Sequence, residues 1–252
     1  MARRVPIAMT TQEKLGFYAT PPHDCNYLPD REAITLFADP RFRKNNRLYA
    51  ALANNGFRRS GEHLYIPYCR NCSACIPVRV PVNEFQPNRR HLRCRRRNQD
   101  LIITERPAEF EAEHFDLYQR YLRHRHPGGG MDNPTPESYI EFLSASWSET
   151  IFFEMRDSAR NLVAVTVADA MPDALSAVYT FFDPEQANRS PGTFAILYQT
   201  EAARRRNHTW LYLGYWIQEC KKMSYKNEFS PLEYFQAGEW RRNLESGAGL
   251  HP

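Results

Sequence analysis

The pattern of apolar and polar positions changes at about residue 150 of this 252-residue chain. Beyond that point, three runs rich in β-branched and aromatic residues follow one another with only short polar breaks between them. Runs of this kind predict neighbouring antiparallel strands joined as a meander. The three runs are TIFFEMR, LVAVTVADA and LSAVYTFF.

Helical spacing dominates the segments on either side of this meander. Residues 107–126 carry apolar side chains near helical spacing and predict a helix that begins at Pro107 and ends at the glycines 128–130. A second helix is predicted over 135–147, with Thr135 as its N-terminal cap. After the meander we expect a helix, a strand, a short helix and a last strand with a turn. These are SPGTFAILYQTEAARRR, TWLYLGYW, residues 217–223 and FSPLEYFQAGEW.

Shorter elements are predicted for the first hundred residues. Residues 15–35 indicate short extended pieces and turns, and residues 44–55 predict a helix that ends at Gly56. The segment IPVRVPV alternates like a strand, but its prolines favour the edge of a sheet. The basic run over residues 86–99 predicts a helix or a loop, and the following LIITE predicts a strand.

Charge divides the chain into two parts. Residues 1–106 hold 19 Lys and Arg against 9 Asp and Glu, whereas residues 107–252 hold 14 against 20. We therefore predict two α+β domains over these ranges, the first smaller, rich in Arg and containing cysteines, with a loose tail from about residue 243. A basic surface on the first domain favours RNA as a partner, the alternative being an ordinary solvated face.

With no secretory leader and no apolar run of roughly 20 residues, we expect a cytoplasmic protein without a membrane partner.

Four cysteines form a candidate metal site. Cys69, Cys72 and Cys75 are spaced three residues apart, and Cys25 lies upstream. Thiolates at this spacing can surround one ion, so we expect a structural zinc ion or an iron–sulfur cluster at this Cys cluster. The alternative is a loop of ordinary reduced thiols. Cys94 and Cys220 are expected to be plain small residues.

Arginines near the Cys cluster are candidates for binding anions. Arg58, Arg59 and Arg79 border the cluster, and a guanidinium can grip a carboxylate with two hydrogen bonds. Other basic residues lie in the run over 86–99 or beside aromatics near 215–226, where they could hold RNA phosphates. These phosphate candidates are Arg89, Arg90, Arg93, Arg95, Arg96, Arg97, Lys221, Lys222 and Lys226.

The order of elements after residue 107 resembles the acetyltransferase (GNAT-type) fold. There, a turn of the pattern Arg/Gln-x-x-Gly-x-Gly/Ala holds a pyrophosphate at a helix N-terminus. This chain has Arg189 and Gly192 but places Phe194 at the last small position, which predicts a different acyl donor on the same scaffold. One alternative is an acetyl-CoA-dependent N-acetyltransferase, and another is a non-catalytic module that binds RNA or degrons.

Longer stretches of sequence resemble one known family. FYAT, PHDCNYLP, GFRRSG, PYCRNCSACIPVRVPVNEF, LSAVYTFFDP and LYLGYWIQECKKMSYK occur in order over most of the chain. They are similar to the arginyl/leucyl-tRNA–protein transferases, most closely to the bacterial branch that transfers leucine. The resemblance implies transfer from leucyl-tRNA to the α-amine of proteins beginning with Asp or Glu, in the N-degron (N-end rule) degradation pathway. Arginyl-tRNA is the alternative donor.

The implied reaction suggests roles for several residues. An aminoacyl ester is already activated, so we expect no cofactor to be required for catalysis. Glu154, Asp169 or Asp183 could remove a proton from the acceptor amine, Tyr179 could orient the ester, and the terminal hydroxyl of the tRNA is an alternative proton relay. We expect the acidic side chain of the acceptor to bind in a pocket that the Cys cluster supports as a scaffold. The expected pocket residues are Arg58, Arg59 and Arg79.

Overall fold

The computed structural model describes residues 14–125 and 133–244, which form a mixed α/β fold. The predicted stop at glycines 128–130 and most of the predicted tail lie outside these residues. The helices are Asn46–Ala53 (α1), Arg89–Arg97 (α2), Ala112–Arg125 (α3), Pro136–Leu143 (α4), Pro191–Arg205 (α5) and Lys221–Ser224 (α6), with 3₁₀ turns at Pro184–Arg189 and Tyr225–Glu228. The strands are Phe17–Ala19 (β1), His23–Asp24 (β2), Glu32–Ala33 (β3), Thr35–Ala38 (β4), Arg58–Ser60 (β5), His63–Pro67 (β6), Ile76–Pro81 (β7), Ile102–Pro107 (β8), Glu149–Arg156 (β9), Leu162–Met171 (β10), Ala174–Phe182 (β11), Trp210–Trp216 (β12), Glu233–Gln236 (β13) and Glu239–Arg241 (β14).

An eight-stranded sheet forms the centre of the molecule, in the order β14-β13-β7-β12-β11-β10-β9-β8. Strands β9, β10 and β11 pair antiparallel, which confirms the predicted meander. Strand β12 runs parallel to β11, because helix α5 carries the chain back between them. This parallel pair is the feature of the sheet that positions the candidate site.

Strand β7 lies inside this sheet, between β12 and β13, so the prediction that its prolines place it at an edge was wrong. The reason is that β13 pairs only with Val78 and Arg79 of β7. Pro77 and Pro81 therefore lie beyond the ends of that short ladder, where a missing N–H costs no hydrogen bond to β13. Through β7 and β8, residues 76–107 join a sheet whose other strands all come from residue 149 onward.

Helices cover both faces of the large sheet. On one face α3 and α4 pack against Phe152, Val167 and Phe181, and on the other α5 packs against Phe153 and Ala168. These sheet residues alternate along their strands, as opposite faces require.

The two helices before the meander follow the sequence prediction only in part. Helix α3 begins at Ala112, not at Pro107, because Pro107 is the last residue of β8 and pairs with Ile151. Thr135 caps α4 as predicted, and its hydroxyl accepts a hydrogen bond from the Ser138 N–H. Helix α4 ends at Leu143, four residues before its predicted end.

A small sheet with the strand order β1-β4-β6-β5 packs beside the large one. Together with α1, it shares an apolar cluster with residues of β10, β11 and β12 that includes Tyr49, Leu64, Met171, Ala174 and Tyr212. This packing brings β5, with its two arginines, against the parallel pair β11–β12. Within the described ranges, no helix is both long and apolar enough to cross a membrane.

Candidate active site between two diverging strands

Strands β11 and β12 pair over only three residues and then separate. Their parallel ladder ends at Ser176 and Tyr212, although β11 runs on to Phe182 and β12 to Trp216. Each strand holds one extra residue just past this point, Val178 relative to β10 and Leu213 relative to β7. Such bulges bend a strand and interrupt its pairing. We call the region between residues 177–182 of β11 and 213–216 of β12 the split.

Arg58 of β5 reaches the β11 side of the split. Its guanidinium donates a hydrogen bond of 2.8 Å to Ser176 Oγ and another to the Ala177 carbonyl. Gly214 of β12 has a φ of +77°, and a Cβ atom there would lie 2.9 Å from Arg58 Nε. The glycine thus permits both the left-handed backbone and the close approach of the guanidinium. A glycine inside an apolar strand signals such an approach, and this signal was available in the sequence.

Lys226 reaches the β12 side of the split and is buried, which corrects the expectation that it contacts RNA phosphates. Its amine donates a hydrogen bond of 2.6 Å to the carbonyl of Tyr215. Tyr215 lies beyond the three residues of β12 that pair with β11. Burial, and then the nearby charge of Arg58, lower the pKa of Lys226 to about 7.

Arg59 and Asp169, two further candidates, bind each other away from the split. Arg59 Nε lies 2.6 Å from one Asp169 oxygen, and Nη2 lies 2.8 Å from the other. Both side chains are fully buried, and Thr150 Oγ1 donates a further hydrogen bond of 2.7 Å to Asp169. Arg59 also donates to the Leu143 carbonyl. This ion pair is fully engaged, so neither residue is positioned in this structure to bind substrate or remove a proton.

Arg79 is enclosed by other side chains. It forms an ion pair of 2.8 Å with Glu233, and its guanidinium lies 3.5 Å from the ring centroid of Trp210 and 4.2 Å from that of Trp240. Asn54 accepts a further hydrogen bond of 2.9 Å. Stacking on two indoles and pairing with a carboxylate fix this arginine in place. Its charge is therefore already compensated within the fold.

The two other carboxylates that we considered as bases are also engaged. Glu154 lies on β9, two strands from β11, and accepts hydrogen bonds of 2.8 Å from both Arg156 and His114. The Arg156 hydrogen bond, together with that from His114, lowers the pKa of Glu154 to about 2, which makes it a weak base at neutral pH. Asp183 accepts from the Glu185 N–H and pairs with Arg120 at 3.2 Å.

Tyr179 stands on β11 directly after the bulge at Val178. Its hydroxyl is buried without a hydrogen-bond partner among the described residues. Aromatic rings surround it, including Phe142 at 5.3 Å between centroids and Tyr118 at 6.2 Å. Burial raises the pKa of Tyr179, so its hydroxyl keeps its proton. A buried hydroxyl without a partner is suited to bond a group that enters the site.

The predicted basic run forms helix α2, capped by Asn88. Its buried residues His91 and Cys94 face the protein, and most of its arginines are exposed. Arg90 pairs with Glu228 at 2.6 Å, which places α2 beside the segment that carries Lys221 and Lys222. Within the described part of the chain, five of these arginines form no ion pair, and one of the five, Arg97, donates a hydrogen bond to the Asn188 carbonyl. They are Arg89, Arg93, Arg95, Arg96 and Arg97.

The turn before α5 holds its own arginine in place. Arg189 pairs with both oxygens of Asp100, at 2.7 and 3.0 Å, and also donates to the Arg97 carbonyl. Phe194 belongs to the apolar core, with 9% of its surface exposed. The guanidinium that would hold a pyrophosphate in an acetyl-CoA enzyme is thus bound to a carboxylate, as expected for a different acyl donor.

Cysteines of the predicted metal site lie near one another in this structure. Cys25, Cys72 and Cys75 pack with Cys220 around Tyr215 and Ile217, so Cys220 joins the predicted group. Burial, and then the neighbouring thiols, raise the pKa of Cys75 to about 12. Across residues 14–125 and 133–244, no three His, Cys, Asp or Glu side chains are arranged to hold a metal ion. The zinc or iron–sulfur assignment therefore stays a prediction, and no chemical step is derived from it.

Comparison with known proteins finds sequence matches over most of this chain. Residues 23–93 match the family model for the N terminus of arginine-tRNA-protein transferase, and residues 113–236 match the model for its C terminus. The aspartate/glutamate leucyltransferase of Nitrosococcus oceani is 50% identical over 92% of this chain and 98% of its own. Its counterpart in Saccharophagus degradans is 47% identical over the same shares. Among solved structures, FemX covers 76% of this chain and 65% of its own at 10% identity, with a TM-score of 0.45. Because the two family models and these relatives match most of its sequence, the chain belongs to the arginine-tRNA–protein transferase family.

Proposed function

We propose that this chain transfers leucine from leucyl-tRNA to the α-amine of proteins beginning with Asp or Glu, and that the acidic side chain binds Arg58 in the split. One observation carries the site assignment. Arg58 is buried, yet among the described residues it has no carboxylate partner, whereas Arg59 and Arg79 each have one. A buried cation without a counter-ion is costly unless a ligand supplies the anion. An acidic side chain is such an anion.

The relatives support the choice of leucine as the donor amino acid. Proteins named aspartate/glutamate leucyltransferase are about half identical to this chain over nearly all of their length. Arginine, the alternative, would need acidic groups for its guanidinium, whereas the two ionisable side chains described above that reach the split, Arg58 and Lys226, are both basic. We place the reaction in the cytoplasm, where charged tRNA is used, and propose that the added leucine marks the acceptor for degradation.

The reaction itself needs one bond formed and one broken. The acceptor amine attacks the ester carbonyl, a C–N bond forms, and the C–O bond to the terminal ribose breaks. One proton leaves the amine and one is taken up by the departing oxygen. Glu154, Asp169 and Asp183 are all engaged elsewhere, so we favour the terminal hydroxyl of the tRNA as the proton relay. In this proposal Tyr179 donates its hydrogen bond to the ester and orients it.

We propose that the donor end of the tRNA enters the split on a GNAT-type scaffold. The support is the parallel pair β11–β12, the connecting helix α5 and the bulge at Val178. Helix α2 packs on α5, so phosphates held along α2 would lie next to the same helix that follows β11. Exposed or partly exposed basic side chains on α2 and α6 supply the phosphate contacts. These are Arg89, Arg93, Arg95, Arg96, Lys221 and Lys222.

Combining each of two aminoacyl-tRNA donors with each of two acceptor peptides tests this function. The protein is incubated with leucyl-tRNA or arginyl-tRNA, and with peptides that differ only in having Asp or Asn as the first residue. Mass spectrometry should find leucine added to the Asp peptide only. Addition of arginine, or absence of any product, would contradict the proposal. Calorimetric titration with acetyl-CoA addresses the acetyltransferase alternative, and tight binding would favour that alternative.

A further inference from the structure

We infer that Lys226 is the second cation of an anion-binding subsite in the split, where it acts with Arg58 to select acceptors with an acidic first side chain. The inference rests on the proposed function and adds a specificity-determining residue to it. Neither local sequence nor charge clustering indicates this role, since Lys226 lies close to the exposed pair Lys221 and Lys222.

The first support is the position of the two cations on the two open strand edges. Arg58 donates to the Ala177 carbonyl of β11, beyond the last residue of that strand that pairs with β12. Lys226 donates to the Tyr215 carbonyl of β12, beyond the last residue of that strand that pairs with β11. In a continuous parallel ladder, backbone N–H groups of the neighbouring strand would satisfy such carbonyls. Here cationic side chains satisfy them, and this places both charges at the split.

The second support is the absence of compensating charge. Arg58 is 9% exposed and Lys226 is 7% exposed, and across the described ranges neither lies within ion-pair distance of a carboxylate. The charged or titratable groups that act most strongly on Lys226 are Arg58, Cys220 and Cys75. None of these is a carboxylate. The fold therefore brings two basic side chains together without a carboxylate counter-ion.

The third support is unused hydrogen-bonding capacity. An ammonium has three N–H donors and a guanidinium has five. Lys226 has one strong acceptor, the Tyr215 carbonyl, and a weak contact of 3.7 Å to Met223 Sδ. Arg58 has two acceptors, Ser176 Oγ and the Ala177 carbonyl. Donors on both side chains thus remain available for the two oxygens of one carboxylate.

A side-chain carboxylate fits this subsite better than an RNA phosphate does. Phosphates on a nucleic-acid backbone are held by basic groups that protrude from a surface, as the arginines of α2 do. Both cations of the split are buried, so the anion must be carried on a short and narrow group. The side chain at the very start of a polypeptide meets that requirement, and its α-amine would then lie close to the split.

Two substitutions separate the charge of Lys226 from its packing. Lys226→Met keeps the aliphatic chain and removes the charge, whereas Lys226→Arg keeps the charge. Lys44→Met is the matched control, because Lys44 also donates to a backbone carbonyl, that of Pro40, but lies on the surface. Initial rates are measured at saturating leucyl-tRNA with peptides that begin with Asp or Asn.

We expect Lys226→Met to lower kcat/KM for the Asp peptide by roughly 30-fold or more, with little change for the Asn peptide. The KM for leucyl-tRNA should stay unchanged, Lys226→Arg should retain most of the preference for Asp, and Lys44→Met should match the wild type. Equal losses for both peptides would indicate a structural role. A raised KM for leucyl-tRNA with the preference intact would indicate a phosphate contact. Either result overturns the inference.

A measurement on the wild-type protein covers the case in which Lys226→Met does not fold. Labelling of Lys226 by a small amine-reactive reagent is followed by mass spectrometry, with either peptide present. Protection by the Asp peptide and not by the Asn peptide supports the inference, and equal labelling contradicts it. If the wild type gives no leucylated product at all, the proposed function has failed. If it gives product and the Lys226 variants keep the preference, only the inference has failed.

Discussion

Arg58 and Arg59 are neighbours on one strand and are both buried, yet their surroundings differ in the feature that matters for binding. Arg59 meets both oxygens of Asp169 and two backbone carbonyls. Arg58 meets a hydroxyl and a carbonyl, with the amine of Lys226 as its charged neighbour. Burial of a charge therefore does not by itself identify a binding site. The missing counter-ion does, because the fold would otherwise carry the electrostatic cost without compensation.

Removing the Arg58 charge should have the largest effect on activity. We expect Arg58→Met to lower kcat/KM for an Asp-starting peptide by about 100-fold or more, because a buried charge that meets the substrate carboxylate is lost. Steady-state rates at saturating leucyl-tRNA measure this, and thermal melting checks the fold. An activity close to that of the wild type would remove Arg58 from the site.

Removing the Arg59 charge should instead reduce stability. We expect Arg59→Met to cost about 3–5 kcal/mol of unfolding free energy, because it leaves Asp169 buried and unpaired. Denaturant unfolding measures the loss. Replacing both partners, as in Arg59→Met with Asp169→Leu, should recover much of it. If the double variant is less stable than Arg59→Met, the ion pair is not the source of the effect.

Two glycines with similar backbone angles allow the effect of backbone strain to be distinguished from the effect of displacing the Arg58 side chain. Gly214 and Gly238 have φ of +77° and +80°, but a Cβ atom would touch Arg58 at Gly214 and meet nothing within 4 Å at Gly238. Both alanine variants should lose about 1 kcal/mol of stability from the left-handed backbone. Only Gly214→Ala should also lower kcat/KM for the Asp peptide, by roughly 10-fold. Equal activity in the two variants would mean that Arg58 tolerates displacement.

The exposed arginines of α2 should affect the donor and not the acceptor. We expect Arg93→Glu and Arg96→Glu to raise the KM for leucyl-tRNA several-fold and to reduce its salt dependence by about one unit of slope each. The KM for the acceptor peptide should not change. Arg43→Glu, on an exposed arginine in the segment before α1, provides the control. A rise confined to the acceptor KM would place the acceptor on α2.

Glu154 gives the smallest predicted effect, on stability in acid. Because the pKa of Glu154 is lowered to about 2 in the folded protein, its hydrogen bonds stabilise the fold above about pH 4.5. That contribution is lost as the pH falls toward about 2. Relative to Glu154→Gln, the wild type should therefore keep a constant advantage from pH 5 to 8 and lose it in acid. A marked loss of transfer activity in this variant would make Glu154 a catalytic candidate again.

The local pattern of apolar and polar residues was sufficient to predict much of the secondary structure. It was insufficient to predict which residues come together at the candidate site. The meander, α1, α5 and the Thr135 cap all follow from side-chain spacing and capping chemistry. The interior position of β7 does not, because it depends on where strands far along the chain end. Likewise, nothing near Arg58 and Arg59 in sequence distinguishes them. Asp169, which pairs with Arg59, lies 110 residues away, and Lys226 is buried by a turn that follows β12.

The most direct test of the acceptor pocket is a competition within one reaction. Equal amounts of Asp-starting and Asn-starting peptides are incubated with leucyl-tRNA, and mass spectrometry gives the ratio of the two leucylated products. The wild type should leucylate almost only the Asp peptide, whereas Arg58→Met should yield a ratio close to one with the little product it forms. A wild-type ratio in Arg58→Met would contradict the assignment of Arg58 as the group that reads the acidic first residue.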